Sequence, residues 1–194
     1  ISGRATPLSV ETSVSDQADL KAQVRDFWDE KSCGEVYATG DSAREGYEAQ
    51  SRARRELEPY IAEFARFEEG RGLDVLEIGV GMGADHVEWA KARPRSLTGI
   101  DLTPRAVEHT RTRLGIYGLA SDLRVADAER LPFADDSFDL IYSWGVLHHS
   151  PQTARAVDEV RRVLRPGGRA RIMIYHTYSL TGYMLWIRYA LLAG

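Results

Sequence analysis

One segment limits what this chain can become more than any other: VLEIGVGMGAD, residues 75–85. An apolar run flows straight into Gly79, Gly81 and Gly83. A buried strand needs that order if its backbone is to turn tightly and present N–H groups to a ligand at the start of a helix. A strand without polar alternation belongs inside a sheet covered on both faces. The glycines alone serve close strand–helix packing equally well, and Gly79, Gly81 and Ala84 also satisfy the G-x-G-x-x-A pattern of dinucleotide sites. Glu77, two residues before the first glycine, tilts the balance. Its carboxylate suits a cationic amine, met directly or through water, and repels a pyrophosphate.

From Leu73 onward strands and helices alternate. LDVLEI (73–78) leads to a helix over about 84–92, and SLTGI (96–100) to Thr103-Pro104 as N-cap and first residue of the next helix. DLRV (122–125) and FDLIYS (138–143) are the third and fourth strands. A helix from Thr153 to Leu164 ends at Pro166-Gly167-Gly168, and GRARIMIY (168–175) is the fifth strand. Short β–α connections of this kind imply an α/β fold: a doubly wound, mostly parallel, Rossmann-like sheet in the order 3-2-1-4-5.

The flanks divide the chain further. Residues 1–14 read as a flexible leader and 15–70 as an N-terminal helical cap. Within the cap, one helix runs through Asp16–Lys31, residues 32–46 form a loop, and a second helix covers Tyr47 to Phe67, split by Pro59. Residues 71–176 form the binding domain and 177–194 an amphipathic helix.

Composition excludes several classes. The net charge of −4 lacks the basic stripe that nucleic acid requires. A single cysteine, Cys33, leaves no internal disulfide framework and fits a reducing cytoplasm. The longest apolar stretch, Tyr183 to Ala193, is interrupted by Arg188 and falls short of the ~20 residues a membrane span needs. The first residue is Ile, which suits a processed or partial chain.

Three further motifs carry chemistry. Asp101 in GIDLTP (99–104) stands eighteen residues beyond Gly83, where an acid accepts ribose hydroxyls while Leu102 lies against adenine. Asp127 in VADAERLPF (125–133) is placed to accept from the adenine 6-amino group. FDLIYSWGVLHHSP (138–151) and LRPGG (164–168) complete the series.

Taken together, the motifs E-I-G-x-G-x-G, G-I-D, A-D-A-E-x-L-P-F, F-D-x-I-x-S-x-x-V-L-H-H and V-L-R-P-G-G resemble class I S-adenosylmethionine-dependent methyltransferases. The likeness spans residues 73–175 and is strongest to the group of ubiquinone and menaquinone C-methyltransferases and small-molecule methylases. It implies S-adenosylmethionine as cofactor, S-adenosylhomocysteine as product, a small-molecule acceptor and no metal. By position it assigns Glu77, Gly79, Gly81 and Gly83 to the methionine part and Asp101 with Leu102 to the ribose and adenine. Asp127 with Ala128 goes to the adenine, and Ser143 with Trp144 to the sulfonium and substrate side. His149 is the candidate catalytic base, although shaping the pocket is the favoured role for His148-His149.

Other readings remain beside this one. The G-x-G-x-x-A pattern permits an NAD-dependent oxidoreductase, and an inactive methylase-like module would bind cofactor without turnover. Cys33 reads as a quiet thiol. Arg52, Arg54 and Arg55 read as a solvated face from which one side chain has a minor chance of reaching the cofactor carboxylate. The aromatics Phe27, Trp28, Tyr37 and Tyr47 suit a lid or simple helix packing. The family usually adds two antiparallel strands after the fifth, whereas only HTYSLTGYMLWIRYALLAG (176–194) follows here. Strands 6 and 7 are therefore expected to be missing. The fifth strand is left at an open edge, and either a homodimer buries that end or the chain is a fragment.

Overall fold

The structure, a computed structural model, describes residues 14–175. The leader (1–14, but for its last residue) and the helix expected over 177–194 lie outside the described residues, and with them the expectation of a dimer through the C-terminal end. Five parallel strands form one sheet in the order β3-β2-β1-β4-β5. They are β1 (Asp74–Ile78), β2 (Ser96–Asp101), β3 (Asp122–Val125), β4 (Phe138–Trp144) and β5 (Leu164–Met173). The helices are α1 (Val14–Glu30), α2 (Ala43–Leu57), α3 (Ile61–Ala65), α4 (Ala84–Lys91), α5 (Pro104–Ile116) and α6 (Thr153–Val163).

Alternation along the strands sorts the core into two layers. Leu76 and Ile78 of β1 and Ile141 of β4 pack with Leu147, Ala156, Val160 and Val163 on the α6 face. Val75, Leu140 and Tyr142 point the other way, against Ala65, Trp89 and Leu97. Trp89 of α4 is fully buried there, edge-on to Phe67 at 4.9 Å and to Tyr142 at 5.5 Å between ring centroids. Both faces of the central strands are thus dry, which is why their sequences lack polar alternation.

Local chemistry sets the element ends. The Thr103 hydroxyl accepts from the Ala106 N–H, with Pro104 in the first turn of α5. Pro59 falls in the gap between α2 and α3, so the helical stretch over 47–67 is divided there, as the proline led one to expect. α2 also starts earlier than Tyr47. Ser42 and Glu45 form a reciprocal capping box, which pulls its first turn into the expected loop. β5 begins at Leu164 rather than Gly168. After the Phe138–Leu164 pair the ladder breaks and resumes at Leu140–Arg169, because Pro166 has no N–H to donate and Gly167 adopts a φ of 80°.

Gly83, the residue before α4, has a φ of 74°, and a Cβ there would stand 3.0 Å from the Thr110 Cα of α5. Gly72 has a φ of 72° with nothing within 4 Å of such a Cβ. Gly83→Ala should therefore lose about 2–4 kcal/mol in urea unfolding, left-handed strain plus overpacking, and Gly72→Ala only about 1–2 kcal/mol. Equal losses would remove the α4–α5 contact as the reason for this glycine.

Candidate cofactor site

The C-terminal ends of β1, β2 and β4 open into a cavity of about 250 Å³, where ligands of open α/β sheets bind. Its walls include Glu77, Gly79, Gly81, Asp101, Leu102, Asp127, Ala128, Trp144 and His149. Two residues expected at the site stand elsewhere. Gly83 caps α4 behind the loop. Ser143 is fully buried and does not line the cavity, because it faces opposite to its strand neighbour Trp144.

Asp101 organises the glycine loop. Its Oδ2 accepts from the Gly81 N–H at 3.1 Å, and its Oδ1 from both the N–H and the hydroxyl of Thr103 at 3.0 Å. A carboxylate has about four acceptor positions, so about one remains open on Oδ2. Burial raises the Asp101 pKa, outweighing these hydrogen bonds. Gly79, with a φ of 83°, is held by its N–H to the Ile100 carbonyl at 2.8 Å, and a Cβ on it would stand 2.2 Å from Val146 Cγ2.

Glu77 does more than offer a free carboxylate. It is 3% exposed and meets His86 Nδ1 at 2.8 Å, while His86 Nε2 meets the Ser121 hydroxyl at 2.7 Å. Burial pushes the Glu77 pKa well up, with the Asp85 carboxylate adding to it, and pushes that of His86 down to about 3. Both shifts disfavour charge on the pair.

Arg54 is not on a solvated face. It donates to both oxygens of Asp85, at 3.0 and 2.7 Å, and to Glu58 Oε2 at 3.1 Å. Asp85 also accepts from the Tyr142 hydroxyl at 2.8 Å, and Glu58 from Trp144 Nε1 at 3.0 Å. This network fixes the Trp144 ring at the cavity wall, beside Phe64 and Tyr60. Cys33 lines the same wall, and burial raises its thiol pKa. Trp28 also lines the cavity, with His149 edge-on to it at 5.3 Å between centroids; burial lowers the His149 pKa, so the ring is neutral near pH 7.

Lys21 of α1 binds Asp127 Oδ2 at 2.6 Å and also Glu129. Glu129 is 2% exposed and accepts in addition from the Ser150 hydroxyl and the Gln152 N–H. It therefore ties α1 to the loop that carries His149. Lys21 stands outside every quoted motif, and Asp85 and Glu129 stand inside motifs that do not announce their partners, 31 and 108 residues away.

Burial alone would raise the Glu129 pKa, yet the hydrogen bonds from Lys21, Ser150 and Gln152 hold it below its ordinary value. Its contribution to stability is then full above the unfolded pKa of ~4.3 and is lost as pH falls through the lower folded value. Glu129→Gln should cost about 1–3 kcal/mol at neutral pH and flatten the acid limb of the stability profile. Urea unfolding between neutral and acid pH measures both, and an unchanged acid limb would remove Glu129 as the anchor.

Residues 76–172 match the family model of a methyltransferase domain. An uncharacterised protein of Mycobacterium tuberculosis is 29% identical over 92% of this chain and 59% of its own length. The 27-O-demethylrifamycin SV methyltransferase of Amycolatopsis mediterranei is 38% identical over 50% of this chain and 37% of its own. The chain thus spans about three-fifths or less of these relatives. A solved S-adenosylmethionine-dependent methyltransferase from Mesorhizobium loti superposes with a TM-score of 0.51 at 28% identity, covering 56% of this chain and 48% of that one. The chain belongs to the class I S-adenosylmethionine-dependent methyltransferase family.

Proposed function

We propose that this protein binds S-adenosylmethionine in the cavity below α1 and transfers its methyl group in line to a small-molecule acceptor. The observation that carries the reading is the charge of the walls. Four carboxylates line the cavity (Glu58, Asp85, Asp101 and Asp127), beside Glu77, whose charge burial disfavours, against two cations, Lys21 and Arg54. Both cations are already held by carboxylates. Such walls favour a ligand carrying a sulfonium and an ammonium, and they disfavour the pyrophosphate of a nicotinamide cofactor.

The residues divide the work by position. Asp101 has an open acceptor for a ribose hydroxyl, Leu102 and Ala128 offer apolar walls to adenine, and Asp127 accepts from its amino group. The Asp85 carboxylate favours the ammonium, and Glu77 offers it a hydrogen-bond acceptor. Trp144 and its neighbours exclude water from the acceptor side. The bound cofactor supplies a methyl group already activated by the sulfonium. The protein's task is then mainly alignment, an effect of about 7–11 kcal/mol in well-oriented systems. His149, neutral near pH 7, can take the proton of a hydroxyl acceptor. A small-molecule acceptor is supported by the wall's mostly apolar character and by the rifamycin substrate named for one relative.

Calorimetry on the full chain should detect S-adenosylmethionine and S-adenosylhomocysteine and no NADH. Asp101→Ala should weaken S-adenosylhomocysteine by about 1.5–3 kcal/mol with the fold intact by circular dichroism. Tritium from labelled cofactor should appear in a small-molecule acceptor panel. NADH binding without S-adenosylhomocysteine binding would overturn the reading, and cofactor binding with no transfer to any acceptor would leave a binding module.

A further inference from the structure

The cofactor's amino-acid end carries a carboxylate, and both cationic side chains of the cavity wall are already paired with two carboxylates each. Arg54 is shared between Asp85 and Glu58, and Lys21 between Asp127 and Glu129. A further anion beside either pair meets those carboxylates, which favours uncharged donors for that group. Building on the cofactor reading above, we propose that Ser32 and Gln50 form a neutral carboxylate subsite for the methionyl end of S-adenosylmethionine.

Two observations converge on it. Ser32, in the turn after α1, lines the cavity and is 4% exposed, yet its hydroxyl has no hydrogen-bond partner among the described residues. A buried hydroxyl left without a partner carries a desolvation cost that a ligand acceptor recovers. Gln50 of α2 also lines the cavity at 4% exposure, and its orientation is dictated. Arg113 can only donate, and its NH1 reaches Gln50 Oε1 at 2.8 Å and the Met82 carbonyl at 2.9 Å. The amide oxygen is thereby committed to Arg113, and Nε2 faces away from it. That nitrogen lies 3.1 Å from where a Cβ on Gly34 would stand, so it adjoins the Ser32–Gly34 turn.

The Arg113 bond to the Met82 carbonyl ties this donor to the glycine loop, the part of the site that adjoins the methionine end. Gly34 at φ 78° lets the turn pass close to the amide, where any side chain would crowd it. An O–H and an N–H at this place suit an acceptor-only group such as a carboxylate. Being uncharged, they leave the acid excess of the cavity intact, so the cationic parts of the same ligand are still favoured.

The test compares S-adenosylmethionine with its decarboxylated form, which lacks only this carboxylate, by calorimetry on the full chain. The wild-type chain should bind the carboxylated ligand about tenfold or more tightly, the scale of a charged hydrogen bond. Gln50→Glu keeps an acceptor for Arg113 but puts an oxygen where the donor was. It should abolish that preference while leaving affinity for the decarboxylated form, which keeps both cations, equal to or above that of wild type, and Ser32→Ala should reduce the preference severalfold. Variants that weaken both ligands equally, or a wild-type chain that binds both equally, would overturn the subsite and leave the cofactor reading standing. Binding of neither ligand by the wild-type chain would overturn both.

Discussion

The Asp101 carboxylate is where three parts of the molecule meet. It ends β2, accepts from the backbone of the glycine loop through Gly81, and holds Thr103, whose hydroxyl caps α5. A loop with three glycines at positive φ gains no order from its own side chains. Asp101 supplies that order from outside, together with the Thr110 hydroxyl on the Gly81 carbonyl. The cleft keeps its shape because a side chain on one strand fixes the backbone that follows another.

A second regularity concerns cations. Lys21, Arg54 and Arg113 reach the cavity or its immediate back wall, and each is bound by protein acceptors. Arg113 is fully buried under the Tyr47 ring, and burial lowers its pKa to about 10, so it stays charged at neutral pH. It works by turning acceptors toward itself, and so aims the remaining donors elsewhere. Selectivity in such a site follows from which protein groups are left over.

How much of this the sequence revealed depends on range. Strands apolar on both faces, the Thr103-Pro104 cap and the DLRV strand are local patterns, and they match the structure nearly residue for residue. The Ser42–Glu45 capping box is equally local, inside a stretch whose glycines and serines read as loop. Ser143 is fully buried and off the cavity lining, a placement that its motif does not announce. Lys21 with Glu129, Arg54 with Asp85 and Arg113 with Gln50 lie 108, 31 and 63 residues apart, and no periodicity announces such pairs.

The two margins of the sheet differ in kind. β3 is four residues long and mostly exposed, and its Arg124 folds back onto Asp122 beside it. Such a margin is short and charged, and it repels lateral addition. β5 runs ten residues and, among the described residues, pairs only with β4. The two margins are thus blunted by different means, β5 by Pro166, a break in its ladder, and Arg169 and Arg171 turned onto Glu69. Sequence changes in β5 reach the Trp144 and His149 wall of the cavity first, through the Trp144–Met173 pair, and the Asp101 and Asp127 wall at the β2–β3 side is insulated from them.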